Sequence, residues 1–527
     1  MRLNFILLLL IFVYSCNDDY SLDGLSIFRY NESTTLSSLD PAFAKDKATI
    51  WATSQLFNGL VKMDNQSRIV PSIAEDWDIS SDGKSYRFYI RDDIYFHDHN
   101  LFEHGKGRKV VAADFTYSFD RILDHNVASP GSWIFNNVES YYAVNDTTFE
   151  IVLRSPFAPF LGILSMQYCS VVPKEIVEAG NFRRDPIGTG PFQFQYWKED
   201  VKLVFRKNPN YFEKEDTFSL PYLDAVSITF VKDAQANFLN FLNGEIDFIS
   251  GIDASYKDEV LNIDGELSEK YVGRINMEVY PYLNTEYLGF LVDTNTQIAR
   301  SLSLRKAINY GFDRKKMLRY LRNNIGSPAV NGFVPYGMPF FNDSLIGYMY
   351  DPLYAKELVQ KSVRELGEDI HPITLSTTSE YLDICEFIQS QLSDLGIDIN
   401  VQVFPSSTLR KMISQSKIMF FRASWIADYP DAENYFSLFY SKNWSPNGPN
   451  YTHFSNKEFD RLYEMSIKNI DKETRKDLYL KMDNMIINNA LVVPLYYDRI
   501  VRFYQLNIFN LYTNSQNSLD LVRVIKD

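Results

Sequence analysis

His97-Asp98-His99, followed by His104, places imidazoles and a carboxylate at a spacing that could hold a divalent metal. The same stretch carries Asn100, Gly105 and Gly107, the composition of a solvated loop. A metal centre needs further inward-facing ligands and a supporting outer shell, so no metal is assigned here. His371 and His453 are isolated, which fits a surface or hydrogen-bonded role. The sequence holds no G-x-S-x-G elbow, no HExxH and no Walker glycine loop. Ile187-Gly188-Thr189-Gly190-Pro191 has glycines but no Lys-Ser/Thr pair for phosphate. Acidic residues are so common that no glycosidase-type pair stands out. No catalytic constellation emerges, so the expectation is a protein without enzymatic activity and without a cofactor.

The chain has 527 residues and a net charge of −14, an acid excess that argues against nucleic-acid binding. Apolar residues at 45% and charged residues at 23% are ordinary for globular proteins and exclude wholesale disorder. This length accommodates several domains with ample core. Aromatic residues reach 15%, which suits a binding cleft and a core equally.

Met1-Arg2-Leu3-Asn4 is a short basic start, and Phe5 to Val13 is an unbroken apolar run too short to span a bilayer. Val13-Tyr14-Ser15-Cys16 puts a small residue before a cysteine, as in a bacterial lipoprotein signal. Residues 1–15 are thus expected to be a signal peptide, with lipidated Cys16 and residues 16–24 as anchor and linker. The expected location is the cell envelope, lipid-anchored and facing the periplasm. Asn17-Asp18-Asp19 resembles the outer-surface export tag of some lipoproteins and equally fits a solvated linker. Cys385 lies in a helical stripe with Ile388, Leu392 and Leu395, and Cys169 in the apolar run Ile163 to Val172. Both are expected as buried free thiols, with no zinc-ribbon or thioredoxin pair.

The rest of the chain alternates short strands and helices. Ser81-Asp82-Gly83-Lys84 between Trp77-Asp78-Ile79 and Tyr86–Arg91 signals a hairpin. Val111, Phe115, Phe119 and Ile122 keep helical spacing, and Phe149, Ile151 and Leu153 alternate as a strand. Asp313 is placed to cap a helix carrying Met317, Leu318 and Leu321. The Cys385 helix stops at Gly396 and runs into the alternating Ile397–Val403. Helix followed by strand in this manner implies α/β lobes.

Several segments, collinear over nearly the whole mature chain, resemble the oligopeptide/dipeptide-binding family of ABC-transporter solute-binding proteins. They include Ser38-Leu39-Asp40-Pro41-Ala42, Leu56-Phe57-Asn58-Gly59-Leu60-Val61 and Val70–Trp77. Phe96-His97-Asp98, Ile187–Phe192 and Asn208-Pro209-Asn210-Tyr211-Phe212 continue the order, and Trp425-Ile426-Ala427-Asp428-Tyr429-Pro430-Asp431 closes it. One departure is His97 to Lys109, longer and more polar than the family usually has there. The resemblance implies an α/β, two-lobed periplasmic-binding-protein fold (type II, cluster C-like) with an inserted subdomain in lobe I. The boundaries it suggests are 25–58 with 187–286 and 495–527 for lobe I, 59–186 for the insertion, and 287–494 for lobe II.

It also implies the site. A receptor for peptides of varied sequence must hold the backbone, an ammonium and a carboxylate. Ligand backbone is satisfied when it adds as a strand, for which Thr35-Leu36-Ser37 and Ala423-Ser424-Trp425 are the candidate edges. Asp428 matches the family aspartate that takes the peptide N-terminus, and Arg422 a position that can grip its carboxylate through two bonds. Trp425 and Tyr429 are candidate pocket walls. The implied partners are a peptide ligand and an ABC permease in the inner membrane, with the protein a monomer held to the membrane through Cys16. The alternative ligands on this fold are nickel-chelate, haem or oligosaccharide.

Overall fold

The computed structural model describes residues 24–216, 218–253 and 256–527, so Cys16, the assigned signal and all of the assigned anchor segment but Gly24 lie outside the described residues. Two long antiparallel strands, Ile275–Phe290 and Val492–Gln505, form the middle of the principal sheet. Their ladder runs from Ile275↔Gln505 to Pro281↔Arg499, breaks, and resumes at Thr285↔Tyr497. Pro281 has no N–H to donate, which favours a break at this point.

On one side of that break, Phe420–Ile426 pairs with Asn284 to Phe290, and Ile373–Thr377 and Ile399–Val403 complete the edge. Helices Leu302–Tyr310, Arg314–Leu321, Pro352–Leu366 and Leu382–Ser393 share an apolar core with these strands. On the other side, Phe248–Ser250 pairs with Val492–Gln505, followed outward by Ile27–Asn31, Ala225–Thr229, Lys202–Lys207 and Phe192–Lys198.

A separate four-stranded antiparallel sheet joins Ala74–Ile79, Ser85–Ile90, Thr148–Leu153 and Val138–Asn145. The amphipathic helix Ala112–Leu123 covers it, setting Phe115 and Phe119 edge-on to each other and within ring contact of Phe149. This core is continuous with that of the first half of the principal sheet.

The hairpin at Ser81–Lys84 forms, with Gly83 at φ 70° where a side chain would be strained. Asp313 caps Arg314–Leu321 by accepting the N–H groups of Lys315 and Lys316 at 3.0 Å. Cys169 and Cys385 are buried free thiols. Among the described residues no helix is long and apolar enough to cross a membrane.

Two expectations are corrected here. Thr35 to Ser37 are not a strand: Leu36 is buried in the core, and the Ser37 carbonyl accepts from Arg183. Thr35 instead donates its hydroxyl to Asp200 at 2.7 Å. The His97 stretch is not wholly a solvated loop either. His104 is exposed, but His97 is 2% exposed, its Nε2–H donating to the Gly190 carbonyl at 3.0 Å. Its Nδ1 accepts from the Gly188 N–H at 3.3 Å, so the ring is held as one neutral tautomer. Burial pushes its pKa down to about 4, only partly offset by the Gly190 bond.

Candidate functional site

Phe420–Ile426 carries its sequence past the sheet and ends in Ala427-Asp428. Between this end, the start of helix Lys47–Ser54 and the irregular chain after Phe509 lies a cavity of about 720 Å³. Its lining includes Trp51, Asn58, Tyr168, Tyr282, Asp428 and Gln516. A space of this size, with aromatic residues set among many polar and charged ones, can take an organic ligand that carries polar groups.

Asp428 is the sequence candidate that lines this cavity. Its carboxylate opens onto the cavity, yet protein crowds round it closely enough to raise its pKa by desolvation, with a bond from Asn434 pulling the other way. Among the described residues no cation is named among the groups acting on it. Its backbone is tied across the cavity, the Asp428 carbonyl accepting from Gln516 Nε2 at 3.0 Å. Tyr168, another wall residue, is near enough to Asp428 that the carboxylate's charge adds to the burial that raises the phenol to about 12.

The strand before Asp428 pairs on one side with Asn284 to Phe290, while on its other side the bridge to Ile373–Thr377 stops at Ser376↔Phe421. Among the described residues no strand continues that edge alongside Ala423, Ser424 and Trp425, although Tyr435 OH donates to the Trp425 carbonyl at 3.2 Å. Ser424 is half-buried. Trp425 turns its indole N–H to Asn434 at 2.7 Å and packs against the apolar core that holds Tyr435 and Phe436.

The other sequence candidates are placed elsewhere. The Arg422 side chain is 10% exposed, ion-paired with Glu286 through one terminal nitrogen and stacked 3.1 Å from the Tyr381 ring centroid, while its buried Nε has no hydrogen-bond partner among the described residues. Tyr429 is buried against Gly162, its hydroxyl donating to Glu433. Thr35, Leu36, Arg422, Ser424, Trp425 and Tyr429 all lie outside the cavity lining. Sequence reasoning missed the residues that do line it from the first half of the chain, Lys45, Trp51, Asn58 and Tyr168 among them. Asn58 lies in a quoted family segment and offered a signal; Lys45 offered none.

The glycines of Ile187–Pro191 serve packing. Gly190 N–H donates to the Leu56 carbonyl at 2.9 Å and Phe192 N–H to Gln55 at 3.0 Å, and a Cβ at Gly188 would overlap Leu56. Among the described residues no group of three or more His, Cys, Asp and Glu is placed to hold a metal ion.

Residues 68–447 match the family model described as bacterial extracellular solute-binding proteins, family 5 middle. The chain belongs to this family. Family 5 proteins are binding proteins rather than enzymes, and the two-lobed fold is theirs. Among curated relatives, the dipeptide-binding protein DppE of Bacillus subtilis is 25% identical over 520 residues, covering 91% of this chain and 88% of DppE. Haem-binding protein A of Haemophilus influenzae is 27% identical over 470 residues, covering 84% and 82%. Among solved structures, the periplasmic binding protein DppA of Helicobacter pylori in complex with the peptide STSA superposes with a TM-score of 0.77. It is 25% identical, with 95% of this chain and 98% of that one covered. This family 5 protein therefore shares its architecture with relatives over almost its full length.

Proposed function

We propose that this family 5 protein captures peptides in the Asp428 cavity and delivers them to an ABC importer from a lipid anchor at Cys16. The observation that carries the reading is Asp428, which lines the cavity with no cationic partner acting on it among the described residues. Asp428 is exposed to the cavity, and a ligand closed over it covers the charge, a cost that a ligand ammonium offsets. Ala423 and Ser424, on an edge that no strand continues among the described residues, are the backbone-pairing candidates, although they lie outside the cavity lining. The dipeptide-binding relative and the peptide-bound neighbour support the same ligand class.

Capture works by closure. The lobe boundaries proposed from the resemblance put both crossings within the two long strands, near the ladder break after Pro281. Asp428 and Gln516 then belong to opposite lobes, and the bond between them is made on closing. So is the backbone bond from Ala158 N–H, in the insertion, to the Ile467 carbonyl at 2.8 Å. A ligand touching both lobes favours the shut form only by its differential affinity for it. The basic start, apolar run and Cys16 support export and anchoring.

Native mass spectrometry of freshly purified protein, followed by calorimetry with peptides of two to five residues, tests the reading. Peptide masses and saturable peptide binding are expected. The haem-binding relative puts haem in the same panel. Binding of haem or a nickel complex with no peptide binding overturns the peptide assignment.

A further inference from the structure

Tyr429 follows the cavity aspartate directly, yet it lies outside the cavity lining. It is 5% exposed and buried in the core of the four-stranded sheet and the first half of the principal sheet. Its neighbours Ala427 and Ala432 belong to a different core, the one that holds Tyr435 and Phe436. Tyr429 thus reaches out of one packing unit into another.

The ring is pinned at its hydroxyl. Glu433, itself buried, accepts the Tyr429 hydroxyl on one carboxylate oxygen and the Tyr463 hydroxyl on the other. The Glu433 N–H donates to Asp431 at 3.0 Å, and Arg475 holds Asp431 at 2.7 Å. So connected a network leaves the phenol little freedom, and Tyr429 projects as a fixed knob.

The socket lies in the short helix Phe160–Leu164, where a Cβ on Gly162 would stand 3.2 Å from the Tyr429 Cβ. Phe160 packs against Tyr86 of the four-stranded sheet at 5.1 Å between ring centroids, and the Tyr86 hydroxyl donates to the Phe157 carbonyl at 3.3 Å. Beside the socket are the Ala158 to Ile467 backbone bond and Ile470, whose Cγ2 lies 3.4 Å from the Cβ position of Gly83. The socket helix then runs on into the cavity wall. Ser165, Met166, Gln167 and Tyr168 line the cavity just beyond Gly162, as Asp428 does just before Tyr429.

In the proposed boundaries Gly162 lies in the insertion and Tyr429 in the opposite lobe. We infer that the seating of Tyr429 on Gly162 is a latch, away from the ligand, that couples the insertion to closure and sets ligand affinity. This rests on the closure reading above and holds for any ligand of the cavity. Seating the knob brings the Ser165–Tyr168 wall against Asp428. A weakened latch lowers the share of the shut form and weakens every ligand that needs it.

The test is calorimetry with trialanine and with haem on wild type, Gly162→Ala and Gly162→Leu. Small-angle scattering with and without ligand reads closure, and circular dichroism verifies folding. Alanine forms helix better than glycine, so the first variant keeps the socket helix, while leucine overfills the socket. Affinity should fall in the order wild type, Gly162→Ala, Gly162→Leu, the last roughly tenfold or more weaker. Wild type should contract on saturation and Gly162→Leu should contract less. Wild-type affinity and contraction in Gly162→Leu overturn the latch, and if that variant does not fold, wild-type behaviour of Gly162→Ala does so. Haem binding without peptide binding removes the peptide reading, and haem affinities of the same variants then decide the latch. Binding of neither ligand by wild type removes the capture reading and the latch with it.

Discussion

Arg422 and Glu286 are bound to each other on neighbouring strands, Arg422 opposite Leu288 and Glu286 opposite Ser424, and neither lines the cavity that Asp428 faces. Two charged residues six positions apart on one segment thus have different tasks. Arg422 ties two neighbouring strands together near the ladder break, and Asp428, in the proposed reading, is left for a ligand. The pair belongs to a buried polar group that includes Asn284, which donates to Glu286 at 3.0 Å and to Asp498 at 3.1 Å. Burial and the nearby Glu286 charge push Asp498 up to about 6.

Replacing one partner of such a pair strands the other. Glu286→Gln leaves the Arg422 guanidinium in the interior without its acid, at a cost of about 3–5 kcal/mol. Urea denaturation of the two proteins measures this, and an unchanged midpoint would show that the pair contributes nothing to folding.

His97 links Phe96-His97-Asp98 to the Gly188–Gly190 crossing segment as a neutral ring. Its folded pKa, about 4, lies below the 6.5 of a free histidine, so the unfolded chain binds the extra proton between those values. Stability from this group is present above pH 6.5 and is lost as pH falls toward 4, by about 3 kcal/mol. Unfolding free energy measured from pH 8 to 4 should fall more steeply in wild type than in His97→Gln. Parallel curves would remove His97 as a source of acid sensitivity.

Gly188 lies against the Leu56 carbonyl with no room for a Cβ. Gly188→Ala must push this backbone away, costing about 1–3 kcal/mol and disturbing the cavity wall formed by Gln55, Phe57 and Asn58. A lower thermal midpoint with weakened peptide binding is expected, and wild-type values for both would contradict the packing role.

The parts of the fold that were legible in the sequence are those governed by neighbours along the chain. The Asp82-Gly83 turn, the Asp313 cap and the Gly396 stop each act over a few residues, and all three are found. His97 looks solvated from Asn100, Gly105 and Gly107 close by in sequence, whereas its burial is set by Gly188 and Gly190, 91 and 93 residues on. The partner of Arg422 is 136 residues away, on a strand whose register no local pattern announces. Lys45 sits in no motif of its own. Its place at the cavity follows from how the Pro41–Phe43 turn is fixed by Arg121 and Ser129. Asp428 was legible because Trp425 to Pro430 resembles a family segment.

That aspartate is tested most directly by calorimetry with a tripeptide and its N-acetylated counterpart on wild type and Asp428→Asn. Wild type should bind the free amine about 2–5 kcal/mol more tightly than the acetylated peptide, and Asp428→Asn should bind the two alike at the weaker level. Equal affinity of wild type for both peptides, or an Asp428→Asn variant as tight as wild type, would contradict the assignment of Asp428 as the ammonium anchor.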